Sequence, residues 1–167
     1  MSEKFRSLLK KGKNPKQIKE GLSEILDKNS LDRIQDEINH NVLALFELGL
    51  NHYEFAKNLD AGDWRHKISR LYYAAYNIAR AVRLHYAGVF SMDSTDHKKV
   101  GELPDDFPDK EKYENELPEL REDRNLCDYD HISTLNDMKI GINETLVLVN
   151  EFVHVSKEYL KNRNVNL

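Results

Sequence analysis

One segment of the chain, residues 64–86, restricts the fold more than any other. Its apolar side chains recur every three or four residues, which gathers them on one face of a helix and would scatter them over both faces of a strand. Asp63 is a suitable N-cap, and Gly88 is a suitable C-terminal stop. The segment is therefore predicted to be a long amphipathic helix with the apolar face Ile68, Leu71, Tyr72, Ala75, Ala79, Val82 and Tyr86.

Other segments repeat this spacing. The predicted helices are a short one over 18–26 after Pro15, a long one capped by Asn29 or Ser30, a charged one over 110–126 that Pro118 kinks or splits, and a last one that opens at Ser133 or Thr134. The sequence contains no alternating β-branched run of strand length. We therefore predict an all-α, up-and-down helical bundle of four to five helices. Residues 31–167 are expected to form the bundle, and residues 1–30 a basic N-terminal extension with the short helix.

The same spacing predicts which side chains face the core. In the long second helix these are Leu31, Ile34, Ile38, Leu45, Leu48, Phe55 and Leu59, with Asn41 and His52 filling two gaps. In the last helix they are Leu135, Met138, Ile142, Leu146, Val149, Phe152 and Tyr159. Tyr72 is predicted to lie in the core, while Tyr73 and Tyr76 are predicted to be freer and able to stack on bases.

Charge is distributed in blocks, although the formal net charge is only −4. Residues 1–20 hold seven basic and two acidic side chains, and residues 64–92 hold five Lys or Arg and no acid. Residues 102–130 hold twelve acidic and four basic side chains. Such blocks steer a polyanion to one surface, or they neutralise one another where oppositely charged helices pack together. Sequence leaves both interpretations open.

Several classes of protein are excluded by what the sequence lacks. It has no glycine-rich phosphate loop, no paired CxxC, no HExxH and no GxSxG. Cys127, the single cysteine, fits a reducing compartment and is predicted to be a small packed side chain. The pair Asp96-His97 has no second ligand cluster, so we expect no metal and no cofactor. No apolar run approaches the ~18 residues of a membrane span, so a soluble cytoplasmic protein without membrane contact is expected.

One pair of residues has the chemistry of a catalytic site. Arg124 and His131 are seven residues apart and are expected on one side of a helix end or across a short turn. An arginine fork holds a phosphate oxygen and stabilises transition-state charge, while a histidine moves a proton to or from a ribose oxygen. The alternative is an ion-paired helix terminus, and spacing alone does not choose between them.

Two stretches of the sequence resemble a known family. The run Ser69-Arg70-Leu71-Tyr72-Tyr73-Ala74, with Ala79-Arg80-Ala81 after it, resembles the S-R-x-Y-Y-A helix of HEPN domains (higher eukaryotes and prokaryotes nucleotide-binding). His97-Lys98-Lys99-Val100 is similar to their H-x-x-V, and Arg124 to His131 is similar to their R-x(4–6)-H motif, with Asn125 as the polar residue after the arginine. The resemblance covers roughly residues 40–162 and is to the small prokaryotic HEPN proteins.

The resemblance implies a function and a set of partners. Active HEPN proteins are metal-independent endoribonucleases that often dimerise, and many are toxins neutralised by an MNT nucleotidyltransferase antitoxin. Carried over, Arg124 binds the scissile phosphate, His131 is the general acid or base, and Asn125 orients one of them. The expected RNA- or nucleotide-binding residues are Lys67, Arg70, Tyr73 and Tyr129. The alternative is a non-catalytic HEPN module that binds a nucleotide or a nucleotidyltransferase partner.

Overall fold

The computed structural model describes residues 21–88 and 93–167, and within these ranges the regular structure is helical, with no strand. The four long helices are α1 (Lys28–Lys57), α2 (Trp64–Ala87), α3 (Lys110–Tyr129) and α4 (Ile142–Lys161). Short 3₁₀ turns lie at Ala61–Asp63, Ser94–Lys99 and Leu135–Asp137. The predicted all-α helical bundle is confirmed. The basic block at residues 1–20 and the start of the predicted short helix lie outside the described residues.

Helix α2 is the centre of the bundle and packs against the other three helices. Its small buried side chains let neighbouring helices approach closely, and Gly49 of α1 lies directly against it. A Cβ atom on Gly49 would lie 2.6 Å from Cγ1 of Ile78 and 3.0 Å from the carbonyl oxygen of Ala74. Because only six residues join α1 to α2, this contact makes them antiparallel neighbours.

The predicted bounds of α2 agree with the structure, whereas its neighbours begin elsewhere. Gly88 ends α2 in the left-handed conformation (φ 71°), which glycine adopts without steric cost. Helix α1 is capped by Asp27, whose carboxylate accepts a hydrogen bond from the backbone N–H of Ser30 at 2.8 Å. The prediction of Asn29 or Ser30 as the cap was wrong, because a side-chain acceptor must lie before the N–H groups that it satisfies.

The last helix begins at Ile142, and the prediction that it opens at Ser133 or Thr134 was wrong. Thr134 and Asp137 form a capping box, but it closes only the 3₁₀ turn between them. The predicted capping motif is therefore present, but it caps a 3₁₀ turn and not the last helix. Leu135, which lies in that turn, is exposed. Helix α3 continues through Pro118 without a break and ends at Tyr129.

The predicted inner face of α1 was wrong at three positions. Ile34, Leu48 and Phe55 are exposed, and the buried side of the helix is instead formed by Val42, Phe46, Gly49, Tyr53 and Ala56. Helix α1 carries apolar residues on more than one face, so periodicity alone does not select the face that meets α2. No helix in the described ranges has an apolar stretch long enough to cross a membrane.

Candidate functional site

Arg124 projects from the last turns of α3 toward α2, with 12% of its side chain exposed. One terminal nitrogen, Nη2, donates to the hydroxyl of Tyr73, and Nη1 donates to Oδ1 of Asn125 at 3.1 Å. Its Nε atom lies 2.7 Å from the carboxylate of Asp128. Contacts on three sides therefore fix the orientation of this guanidinium. Tyr73 and Asn125 are among the candidate site residues predicted from the sequence, and both contact this guanidinium.

Aromatic rings surround the same guanidinium. Its central carbon lies 5.1 Å from the ring centroid of Tyr73, 5.2 Å from that of Tyr129 and 5.7 Å from that of Tyr72. Tyr72 is fully buried, as predicted, whereas Tyr129 is 74% exposed. Burial lowers the pKa of Arg124, but Tyr73 and Asp128 more than offset it and the net shift is upward. The result is a permanently charged group beside an exposed ring.

His131 lies beyond the end of α3, because the helix stops at Tyr129 and Asp130 is extended (φ −102°, ψ 108°). Its side chain is exposed and has no hydrogen bond or ion pair to a described residue. The five residues from Arg124 to Tyr129 advance about 7.5 Å along the helix. Direct contact between His131 and Arg124 is therefore absent from the described part of the chain, and a group bound by both must lie between them.

Arg65 at the start of α2 holds this chain end in place. Its Nη1 atom donates to the carbonyl oxygens of Cys127 at 3.0 Å and Asp130 at 2.6 Å, and Nη2 donates to the carbonyl oxygen of Ser133. The carbonyls of Cys127 and Asp130 lie at the end of α3, where they have no partner within the helix, and that of Ser133 lies in the segment after it. Arg65 thereby determines the path of the segment that contains His131.

The five basic residues of segment 64–92 are mostly engaged within the fold. Besides Arg65, the amine of Lys67 donates to the carbonyl oxygen of Leu59 at 2.9 Å, just after α1. Arg83 lies 2.9 Å and Arg80 3.7 Å from the buried carboxylate of Asp96. Lys67 therefore holds the turn between α1 and α2, a role that its prediction as an RNA-binding residue did not include. Among the described contacts, neutralisation by a carboxylate applies to Arg80 and Arg83, whereas Arg65 and Lys67 bind uncharged carbonyl oxygens.

A second histidine, His97, lies beside the Arg124 site. Asp96 fixes the 3₁₀ turn Ser94–Lys99 to α2 through Arg83 and the hydroxyl of Tyr76 (3.2 Å). The ring of His97 stacks on that of Tyr76 with centroids 4.1 Å apart and an interplanar angle of 18°. Its Nδ1 atom lies 2.7 Å from the hydroxyl of Tyr72. Tyr76 is buried in this contact, so the prediction that it is free to stack on bases was wrong.

The hydroxyl of Tyr72 sets the tautomer of His97. Burial raises the pKa of Tyr72, so its hydroxyl keeps its proton, and Nδ1 of His97 lies within hydrogen-bond distance of it. A buried O–H group must donate, so Tyr72 donates to Nδ1 and the neutral ring carries its proton on Nε2. Burial and then the charge of Arg124 lower the pKa of His97. His97 is therefore a neutral N–H donor at pH 7.

Replacing Tyr72 with phenylalanine is expected to raise the pKa of His97, because protonation of Nδ1 then no longer leaves a buried hydroxyl without an acceptor. Loss of the hydrogen bond is expected to cost about 1 kcal/mol of unfolding free energy. Titration of the imidazole signals by NMR measures the pKa, and the ring nitrogen shifts report the tautomer. An Nδ1–H tautomer in the native protein, or an unchanged His97 pKa in the variant, would contradict this account. The exposed residues His40 and His154 serve as internal references.

His97 was included in the resemblance but not among the predicted site residues, and its partners Tyr72 and Arg124 lie 25 and 27 positions away. The H-x-x-V sequence was the available signal. Cys127 is buried as predicted, and burial raises the pKa of its thiol to about 12, which leaves it without a reactive thiolate at neutral pH. The described residues contain no group of three His, Cys, Asp or Glu side chains that could hold a metal ion.

Comparison of the chain with protein-family models, with curated proteins and with solved structures finds no match.

Proposed function

We propose that this chain is a metal-independent endoribonuclease of the HEPN type, with Arg124 as its phosphate-binding group. The observation that carries the proposal is the fixed orientation of the Arg124 guanidinium by Tyr73, Asn125 and Asp128. The two terminal nitrogens of arginine carry four N–H donors, and the hydrogen bonds to Asn125 and Tyr73 use one on each nitrogen, whereas the buried Nε atom pairs with Asp128 by charge without a hydrogen bond. Two N–H donors therefore remain for the oxygens of a phosphodiester, in an orientation that needs no reorganisation when substrate binds.

In the proposed reaction the phosphodiester lies between Arg124 and His131. His131 takes the proton of a ribose 2′-hydroxyl, and that oxygen attacks the adjacent phosphorus. The bond from phosphorus to the 5′-oxygen breaks, and the leaving oxygen takes a proton from an imidazolium or from water. Arg124 stabilises the negative charge that builds on the non-bridging oxygens. The products are a 2′,3′-cyclic phosphate and a 5′-hydroxyl.

Replacement of His131 with alanine tests the proton-transfer step. Cleavage of single-stranded RNA in the presence of a chelator is expected to fall about 100-fold, because general acid–base catalysis contributes at least that much. His154→Ala, an exposed histidine on α4, is the matched control and is expected to cleave like the native protein. Cleavage by His97→Ala shows whether His97, the other histidine near Arg124, also takes part in proton transfer. Equal cleavage by the His131 variant would remove that residue from the mechanism.

A second candidate is the non-catalytic module, which the Arg124–Asp128 ion pair favours because it occupies Nε and the side chain is mostly buried. In that form the same groups bind a nucleotide phosphate or a nucleotidyltransferase of the MNT type. RNA that stays intact with the native protein, together with mononucleotide binding that Arg124→Ala abolishes, would select this candidate. A homodimer and an MNT antitoxin are proposed with either form on the resemblance alone.

A further inference from the structure

A continuous row of cations and aromatic rings leads away from Arg124 across α2 and α1. Tyr73 contacts Arg124 on one side, and its ring centroid lies 5.7 Å from that of His52 on the other. Nδ1 of His52 lies 3.3 Å from Nη1 of Arg70, and the Arg70 guanidinium lies 5.4 Å from the ring centroid of Phe55. With Tyr129 at the other end, we call this row the cation–aromatic strip: Phe55, Arg70, His52, Tyr73, Arg124 and Tyr129.

Both ends of the strip are open to solvent. Phe55 is 53% exposed although its position in the apolar periodicity predicted burial, and Tyr129 is still more exposed. The core of the bundle does not use these rings, since α1 buries Tyr53 and Ala56 against its neighbours instead. Exposed rings at both ends of a row of contacts are therefore available to a ligand that lies along the surface.

Arg70 gives the strip a positive charge that no carboxylate within residues 21–88 and 93–167 neutralises. Its guanidinium contacts the ring of Phe55 and Nδ1 of His52, and no carboxylate pairs with it among the described residues. Burial and then Arg70 itself lower the pKa of His52, so this ring is a neutral acceptor for Arg70 at pH 7. Arg70 thus differs from Arg65, Arg80 and Arg83, which the carbonyls and carboxylate described above engage.

We propose that the cation–aromatic strip binds a segment of single-stranded RNA, with bases on Phe55 and Tyr129 and phosphates on Arg70 and Arg124. The inference rests on the proposed function and extends it by naming the path of the strand on one side of the cleavage point. Binding proteins for single strands combine a basic track with rings on which bases stack, and both occur here. Ring-to-ring and ring-to-guanidinium separations of 5.1–5.7 Å make the row continuous from Phe55 to Tyr129.

A protein partner fits the strip less well. Specific protein interfaces have a contiguous apolar core from which charges are depleted. Here an unneutralised cation, Arg70, separates Phe55 from the remaining rings. A duplex is also disfavoured, because its bases are stacked on each other and do not present their faces to Phe55 and Tyr129. Single-stranded RNA has exposed base faces that stack on the rings and phosphates that pair with the cations.

The test measures binding rather than cleavage. The full chain with His131→Ala is titrated into a fluorescein-labelled oligouridylate of about ten nucleotides, a length within the range that such sites cover. Phe55→Ala and Arg70→Ala are each expected to raise Kd about tenfold. Arg70→Ala is also expected to reduce the slope of log Kd against log salt by about 0.7, as loss of one phosphate contact requires, whereas Phe55→Ala leaves the slope unchanged.

Leu48→Ala and Arg33→Ala are matched controls on α1, an exposed apolar residue and an exposed cation outside the strip. Both are expected to bind the probe like the parent protein. Equal weakening by controls and strip variants, equal affinity for a duplex of the same length, or a strip variant that alters only the molecular mass in solution would overturn the proposal. If the native protein binds RNA through the strip but leaves the RNA intact, the endoribonuclease proposal fails and the proposal that the strip binds RNA stands.

Discussion

Replacing Arg124 with alanine is expected to lower RNA cleavage about 1000-fold, the upper range for removing one preorganised donor of transition-state charge stabilisation. The side chain supplies both the charge and the two N–H donors on its terminal nitrogens that Tyr73 and Asn125 leave unused. Arg124→Lys keeps a charge without the planar fork, so it is expected to recover only part of the loss. Timed assays with analysis of the product ends measure the effect.

Removal of Arg124 also leaves the hydroxyl of Tyr73 and the carboxylate of Asp128 without this partner, so folding must be followed in parallel. Circular dichroism and thermal unfolding of both variants provide that measurement. Arg33→Ala, an exposed cation on α1, is the control for loss of a positive charge at a distance. A folded Arg124→Ala protein that cleaves RNA at the native rate would end the nuclease proposal.

Asp123→Ala is expected to cost about 3 kcal/mol of unfolding free energy, because hydrogen bonds to a buried charged acceptor contribute about 1.5–3 kcal/mol each. The fully buried carboxylate accepts the backbone N–H groups of Lys139 at 2.7 Å and Ile140 at 2.9 Å. These bonds fix the segment before α4 to the middle of α3. Alanine leaves both donors without an acceptor, and urea denaturation followed by circular dichroism measures the loss.

Asp123→Asn keeps one acceptor oxygen and is expected to cost less, about 2 kcal/mol. Glu119→Ala on the exposed side of the same helix is the control, and a change of no more than about 0.5 kcal/mol is expected there. Equal stability of Asp123→Ala and Glu119→Ala would show that the two backbone bonds contribute nothing to the fold.

The pH dependence of the Asp123 effect has a defined sign. Burial raises the pKa of this carboxyl above its ordinary value of 3.8, and the two N–H donors reverse only part of that shift. Stability from the group is therefore fully present below pH 3.8 and falls as pH rises through the higher folded pKa. The stability difference between native protein and Asp123→Asn is expected to shrink over that interval and then to stay constant.

The two prediction errors with most consequence share a physical cause. Phe55 has the right spacing for the core, but α1 is apolar on more than one face, and contact with α2 at Gly49 selects another. Thr134 has a true capping signal, but it closes a 3₁₀ turn and not the last helix. In both cases the local sequence pattern is present as predicted, but which face is buried and which element is capped depend on packing against residues distant in the sequence.

The sequence by itself determined the helical class, the bounds of α2, and the burial of Tyr72 and Cys127, because apolar periodicity and end signals act over neighbouring residues. Only the tertiary structure decided which charges remain available. Arg65 and Arg70 are five positions apart on one helix, yet one holds carbonyls at the end of α3 and the other faces His52 without a carboxylate. The environment of a side chain is set by residues far away in the sequence, and composition cannot place them.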